Sequence, residues 1–290
     1  MSEKDGLAPT GPPPVLERIV VLLDASRSSL GALEAAMELA ARRQAELVAL
    51  FVEEEALLRS AAYPWAREVG LSGAIRPMER SGLEERLRAR AEAIRAALTR
   101  AAGGRAVRWT FRVSRGGVVR ETLLETRPGD LLILGKVGYA RARGLRLGST
   151  AKAMLGQAPG PVMIYDEAAP SAASVLVVVE SADQGARALL TAAALAGDGD
   201  AQLTVLLPPL GSPETTEQRD RAVESTLARV PGGVNHRLRP LTRGSPAAIA
   251  AALRGEPGRQ LVIGRDSALL KGAAAQKHLE AVDLPVVVVP

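Results

Sequence analysis

Glycines and hydroxyl residues follow an apolar run in the middle of the chain at a spacing that suits a phosphate group. Gly135 and Gly138 are separated by two residues, nine residues follow, and Gly148 stands directly before Ser149 and Thr150. Glycine lets the backbone lie close against a ligand. We expect Ser149 or Thr150 to cap a helix, whose free N–H groups and dipole favour an anion. These residues predict an anion site, with phosphate as the favoured group.

The charge around these glycines supports the same chemistry. From Gly135 to Lys152 the chain carries no acid and five basic residues, namely Lys136, Arg141, Arg143, Arg146 and Lys152. The net charge is +5, and residues 169–290 hold twelve basic and twelve acidic residues, so the excess belongs to the first half. A local anion site explains this placement better than a nucleic-acid surface does, and seven aromatic residues leave little for base stacking. Solubility alone is the alternative role for these charges.

Apolar runs alternate with helical periodicity along the first half. The runs predict strands at residues 18–23, 45–52, 107–113, 131–134 and 162–165. The run at 45–52 is too continuous for a half-exposed strand, and 107–113 alternates as a strand does. We therefore expect a parallel sheet covered on both faces, a doubly wound α/β domain. Asp24 follows the first run and Gly135 the fourth, which places both at carboxyl ends of strands, where such sheets bind ligands.

One segment breaks this alternation. Residues 53–80 are rich in charge, glycine and proline, which predicts an inserted loop with at most one short helix. We expect Tyr63 and Trp65 to hold this loop against the core, with an interaction surface as the alternative.

The same order of elements starts again after residue 173. An offset of 156 carries Val20–Asp24 onto Leu176–Glu180, and Gly148 precedes Pro161 by thirteen residues as Gly272 precedes Pro285. The sequence therefore predicts a tail at 1–17 and two tandem domains at 18–168 and 174–290, each with a five-stranded parallel sheet and helices on both faces. We expect the domains to pack about a pseudo-twofold axis through strands at 162–165 and 286–289, which would otherwise be exposed edges.

These motifs resemble the nucleotide-binding subgroup of the universal stress protein family, and the resemblance covers almost the whole chain twice. It implies a Rossmann-like, adenine nucleotide alpha hydrolase-like fold, with ATP and Mg²⁺ as ligands. It assigns the nucleotide to Asp24, Ala25, Ser26, Val52, Gly135, Lys136, Gly138, Gly148, Ser149 and Thr150. Asp24 would also approach the metal, and the backbone of Val52 would contact adenine. Family members dimerise, so the tandem chain resembles a fused dimer, and a homodimer of the whole chain stays open.

Several of these residues have other interpretations. Asp24 suits a helix N-cap equally well. Ser26 is a cap rather than a nucleophile, because the two histidines, His236 and His278, both lie in the second repeat. The absence of cysteine excludes thiol catalysis. The Walker and Gly-x-Gly-x-x-Gly patterns are absent too, which disfavours a motor ATPase or a Rossmann dehydrogenase.

The second repeat keeps the scaffold but changes the matched ligand positions. Asp24 corresponds to Glu180, Val52 to Pro208 and Gly138 to Ser267. Further changes place Ala182 for Ser26, Gly185 for Ser29 and Ala273-Ala274 for Ser149-Thr150. Proline has no N–H to offer adenine. We therefore expect one nucleotide for each chain.

Three functions fit this sequence. The favoured one is an ATP-binding regulatory protein of the stress response with an unidentified protein partner, and with no catalytic residue. The second is a slow ATPase or phosphotransferase. This activity needs a residue that positions the attacking water or hydroxyl, and Asp24 is the only obvious candidate for that role. The third is a scaffold whose nucleotide site is vestigial. The chain carries no apolar signal core and no spanning segment, so we expect a cytoplasmic protein that binds neither membrane nor nucleic acid.

Overall fold

A computed structural model describes residues 16–69, 73–135, 147–165, 174–197, 201–272, 275, 277–278, 282 and 284–290. The elements of the first half are β1 (Arg18–Leu23), α1 (Arg27–Arg43), β2 (Glu46–Glu54), α2 (Glu55–Ser60), β3 (Arg67–Val69), β4 (Ile75–Pro77), α3 (Arg80–Ala102), β5 (Trp109–Gly116), α4 (Val118–Glu125), β6 (Leu131–Gly135), α5 (Ser149–Gln157) and β7 (Val162–Tyr165). Those of the second half are β8 (Ser174–Val178), α6 (Ala182–Ala196), β9 (Gln202–Leu207), α7 (Pro213–Ala228), β10 (His236–Pro240), α8 (Pro246–Arg254), β11 (Gln260–Gly264), a 3-10 turn (Ala268–Leu270) and β12 (Val286–Val289).

The long strands form one ten-stranded sheet in the order β10-β9-β8-β11-β12-β7-β6-β1-β2-β5. Each half contributes five parallel strands, and both halves use the same order, with the first strand between the second and the fourth. This arrangement confirms the prediction of two tandem doubly wound α/β units. The strand order reverses direction between β1 and β6 in the first half and between β8 and β11 in the second, which are the two switch points.

The two halves meet through their last strands. β12 pairs antiparallel with β7, with Val287 opposite Met163 at the centre of the register. The predicted junction is confirmed, since each strand covers an edge that the other would leave exposed. Because the pairing is antiparallel, the carboxyl edge of the first sheet lies beside the amino edge of the second. The two switch points therefore open on opposite edges of the combined sheet.

Helices cover both faces of the sheet, which explains the continuous apolar runs. Along β6, Leu131 and Ile133 join the core under α1, whereas Leu132 and Leu134 join the core under α5. Successive side chains of a strand point to opposite faces, so both sets must be apolar when both faces are covered. No helix among the described residues is long and apolar enough to cross a bilayer.

The segment at 53–80 differs from its prediction. β2 continues to Glu54 and is followed by the short helix α2. After α2, β3 and β4 form an antiparallel hairpin that the sequence pattern did not predict. Each hairpin strand has three residues, too few to show a periodic pattern. Tyr63 and Trp65 stack on each other with ring centroids 5.2 Å apart and are 54% and 73% exposed. The expectation that they hold the segment against the core is therefore wrong.

Candidate functional site

The turn between β1 and α1 is held by a chain of short polar contacts. Asp24 Oδ1 accepts a hydrogen bond from the backbone N–H of Ser26 at 2.9 Å. Ser26 is the N-cap of α1, and its Oγ accepts from the N–H of Ser29 at 3.2 Å. Ser29 Oγ in turn donates to the Ser26 carbonyl at 3.0 Å. The cap assigned to Ser26 is confirmed, and the alternative of Asp24 as the cap is wrong, because Asp24 instead forms an Asx turn before the helix.

Ala25, inside this turn, has a left-handed backbone with φ of 62°. L-residues other than asparagine, aspartate and glycine rarely adopt this region, at a cost of roughly 1–3 kcal/mol. The hydrogen bonds on either side hold the backbone there. Strained residues of this kind cluster at ligand sites. Alanine does not favour a left-handed backbone, so the residue type did not indicate this strain.

Gly135 lies where β6 approaches the first turn of α1. A Cβ at this position would stand 2.6 Å from Ser28 Oγ and 3.0 Å from the Ser28 carbonyl carbon. Only glycine permits so close an approach. β1 pairs with β6 as well as with β2, so Gly135 and the turn at Asp24 meet at the switch point. Ser28, on the first turn of α1, is thus a neighbour of Gly135 at this site.

The beginning of α5 differs in detail from its prediction. Gly148 is the N-cap, with φ of −59°, and no side chain caps the helix. Ser149 and Thr150 are already helical, so neither is the cap, and that expectation is wrong. A Cβ on Gly148 would meet no heavy atom of a described residue within 4 Å. Neither its dihedral angles nor a neighbour in the described part of the chain requires glycine here.

Val52 lies on β2, next to β1 in the sheet, and is 8% exposed. The pairing of β2 with β1 ends at Phe51 opposite Leu23, whereas its pairing with β5 continues to Glu54 opposite Gly116. The last three residues of β2 therefore extend beyond β1 on the side of Asp24. A planar base could approach this backbone edge from that side.

An ion pair lies beside Val52 at the same edge. Arg115 on β5 donates to Glu53 on β2 through Nε at 3.0 Å and Nη2 at 2.7 Å. The hydrogen bond from Arg115 to Glu53 raises the pKa of the guanidinium above its ordinary value. The sequence pattern did not predict this ion pair. The one available signal was that Arg115-Gly116 recurs as Arg243-Gly244 in the second repeat.

Two of the assigned residues, Lys136 and Gly138, lie outside the described residues, as do Arg141, Arg143 and Arg146 of the basic loop. Lys152 is described and lies exposed on α5. In the described part of the chain, no group of three or more acidic or histidine side chains could hold a metal ion by itself.

Side chains of the second repeat make hydrogen bonds to the backbone at its corresponding edge. Glu180 Oε1 accepts from the N–H of Ala268 at 3.0 Å, in the 3-10 turn after β11. Ser267, at the position of Gly138, is 1% exposed, and its Oγ accepts from the N–H of Leu269 at 3.3 Å. The N-cap of α6 is Ser181 rather than Ala182, and it makes no side-chain cap bond. The carboxylate that matches Asp24 thus bonds across the switch point to the turn after β11, whereas Asp24 accepts a hydrogen bond within its own turn.

Comparisons with known proteins agree with this architecture. A universal stress protein from Archaeoglobus fulgidus DSM 4304 is similar in fold, with a TM-score of 0.66 and 17% identity over 94% of this chain and 97% of that one. A putative universal stress protein from Pseudomonas aeruginosa UCBPP-PA14 gives a TM-score of 0.54 and 16% identity over 95% and 94%. A protein of unknown function from Pseudomonas aeruginosa PAO1 gives 0.55 and 17% over 95% and 93%.

At the level of sequence, no curated protein gives a significant match. The model of the universal stress protein family matches residues 16–166. That match includes β1 to β7 and every site residue of the first repeat. Since it also accounts for more than half of the chain, this protein belongs to the universal stress protein family.

Proposed function

We propose that the first repeat binds ATP together with Mg²⁺ and that the bound nucleotide regulates the interactions of the protein. Membership of the universal stress protein family supports a role in the stress response. The observation that carries the proposal is the meeting of the Asp24 turn and Gly135 at the switch point between β1 and β6. Open α/β sheets bind their ligands at this place.

The start of α5 suits the phosphates. The first N–H groups of a helix have no partner within the helix, and no side chain caps them here. They lie beside Gly148, where a Cβ would extend into space that no described residue occupies within 4 Å. A polyphosphate in that space would accept hydrogen bonds from this helix start and gain from its dipole. The unpartnered N–H groups and the dipole of the helix start thus favour an anion at the same place.

The other end of the nucleotide fits the edge of β1 and β2. The backbone beside Val52 extends past β1 and can contact the adenine ring. The carboxylate of Asp24 lies between this edge and Gly135, where it can accept hydrogen bonds from ribose or approach Mg²⁺. A single carboxylate combined with phosphate oxygens and water is the usual environment of Mg²⁺ with a nucleotide.

Regulation suits this site better than rapid catalysis. The turn at Asp24 uses its serines for capping and for backbone contacts, and the first repeat contains neither histidine nor cysteine. A ligand that binds one conformation more tightly shifts the population toward it, and an unidentified partner could read that shift. In the second repeat Glu180 accepts a hydrogen bond from the N–H of Ala268, across the switch point in the turn after β11, whereas Asp24 accepts one from Ser26 in its own turn. The proposal therefore assigns one nucleotide to each chain.

Thermal melting tests the proposal. ATP with Mg²⁺ at about one hundred times its dissociation constant should add about 2.7 kcal/mol to the free energy of unfolding, which raises Tm by roughly 4 °C for a chain of this size. Inorganic triphosphate should give a smaller shift because it lacks the adenosine that would contact Val52. An unchanged Tm with ATP, or equal shifts with ATP and triphosphate, would refute an adenine nucleotide site.

A further inference from the structure

The strand β5 lies at one end of the ten-stranded sheet and pairs with β2 alone. It has eight residues and contains no proline. The strand at the opposite end, β10, has five residues, and the last of them is Pro240. Short length and proline both protect a terminal strand from pairing with another chain. Of the two terminal strands, β5 is therefore the less protected.

Alternate residues of β5 turn their backbone groups away from β2. The N–H of Leu47 donates to the Arg108 carbonyl at 2.9 Å, so the backbone groups of Arg108 point toward β2. Because this direction alternates along a strand, the N–H and C=O groups of four residues point outward. Among the described residues, none makes a hydrogen bond to these outward groups. We call them the free side of β5, and they belong to Trp109, Phe111, Val113 and Arg115.

One face of β5 is basic. From residue 101 to residue 120 the chain carries five arginines and no acid. Arg108, Thr110 and Arg112 alternate along the strand, so their side chains share a face, and all three are exposed. Arg112 has an ion pair with Glu125 at 3.0 Å, whereas Arg108 has no ion pair with a described residue. A neighbouring strand on the free side would therefore meet positive charge on this face.

The other face of β5 is apolar. Trp109 and Phe111 are half-buried and pack against the core of the first repeat. Val113 follows them on this face and is 46% exposed. Arg95 of α3 lies over the Phe111 ring, 5.2 Å from its centroid. A strand added beside β5 would thus place alternate side chains next to arginines on one face and next to apolar side chains on the other.

We propose that the free side of β5 binds an extended segment of another protein in which acidic and apolar residues alternate. The outward N–H and C=O groups supply the main-chain hydrogen bonds, and the two faces select the side chains. Acidic side chains lie beside Arg108 and Arg112, and apolar ones lie beside Phe111 and Val113. A second copy of this chain fits less well, because it would bring two arginine-rich strands together, and like charges on neighbouring strands destabilise a sheet.

Calorimetry of the nucleotide-free, full-length protein with a capped peptide of alternating glutamate and valine tests the charge. A peptide of alternating lysine and valine should bind at least tenfold more weakly, because its charges repel the arginines. Arg108→Glu should weaken binding of the glutamate peptide about tenfold and tighten that of the lysine peptide. Arg254→Glu, at an exposed arginine of α8, should change neither. Equal affinity for the two peptides, or an unchanged preference in Arg108→Glu, would overturn the proposal.

The backbone pairing has its own test. Methylation of every second amide of the glutamate peptide removes donors from one side of the extended chain only. One of the two alternately methylated peptides should therefore bind as the unmodified peptide does, and the other should not bind. Val113→Pro should abolish binding because it removes an outward N–H and leaves the bonds to β2 intact, whereas Val113→Ala should bind within about threefold of the unaltered protein.

Equal binding of the two methylated peptides, or unchanged binding in Val113→Pro, would refute pairing through β5. Sedimentation of the protein without peptide tests the second copy as an occupant. A dimer that Val113→Pro dissociates, and that the glutamate peptide does not disperse, would show that β5 pairs with another copy of this chain, contrary to the proposal.

Discussion

Gly148→Leu is expected to weaken ATP binding about a hundredfold or more. The leucine would project from the start of α5 into space that no described residue occupies, where the proposal places the phosphates. It would exclude at least two hydrogen bonds to a charged group, each contributing roughly 1.5 kcal/mol or more. The fold should tolerate the change because Gly148 has an ordinary φ of −59° and a Cβ there would meet no described residue within 4 Å. Calorimetric titration with ATP and Mg²⁺ measures the loss.

Gly156→Leu is the matched control. Gly156 lies on the same helix, and a Cβ there also meets no heavy atom within 4 Å, so this variant should bind ATP as the unaltered protein does. Gly135 is a poor test, because a side chain would clash with Ser28 and disturb the fold itself. Gly272 is a poor control, since its φ of 77° strains any side chain. Equal ATP affinity in the two leucine variants would contradict the phosphate assignment.

Arg18→Met is expected to lower the free energy of unfolding by about 3–5 kcal/mol, because it removes one member of a buried ionic network. Arg18 donates to Asp130 at 2.6 Å and also to the carboxylate of Glu125. The side chains of the three residues are 12%, 5% and 14% exposed, respectively. Without the guanidinium, the Asp130 carboxylate would still accept a hydrogen bond from the backbone N–H of Arg127. It would lose its ion pair with Arg18. Denaturant unfolding gives the free energy.

The control is Arg80→Met, which removes an exposed ion pair of similar geometry. Arg80 lies 3.0 Å from Glu84, and their side chains are 57% and 28% exposed. Solvent-exposed pairs of this kind contribute about 0–1 kcal/mol. Similar losses in the two variants would show that burial of the Arg18 network does not matter.

The sequence predicted the fold well because the fold depends on long-range repetition of a simple pattern. Apolar runs such as 131–134 and 162–165 alternate with helical segments, and their recurrence after residue 173 revealed the second unit. The pairing of β7 with β12 followed from the cost of leaving two apolar edges exposed. The sequence also predicted that Asp24 and Gly135 lie close together, because each follows a strand of the parallel sheet at its carboxyl end.

The details that the sequence did not reveal depend on local geometry or on distant contacts. Gly148 rather than Ser149 caps α5, because helix ends vary by a residue or two without changing the pattern. The left-handed φ of Ala25 is imposed by its neighbours in the turn and leaves no signature in residue type. Arg18 meets Asp130 across 112 positions of sequence, a contact that only the folded sheet creates.

The stoichiometry of ATP binding distinguishes a single site in the first repeat from one site in each repeat. We propose one site at the carboxyl edge of β1 and β6 and none at the matching edge of the second repeat, where Glu180 accepts a hydrogen bond from Ala268. Calorimetry of nucleotide-free protein should therefore give one ATP for each chain, and Gly148→Leu should remove that binding. Two equivalent sites, no binding at all, or one site that persists in Gly148→Leu would contradict the account.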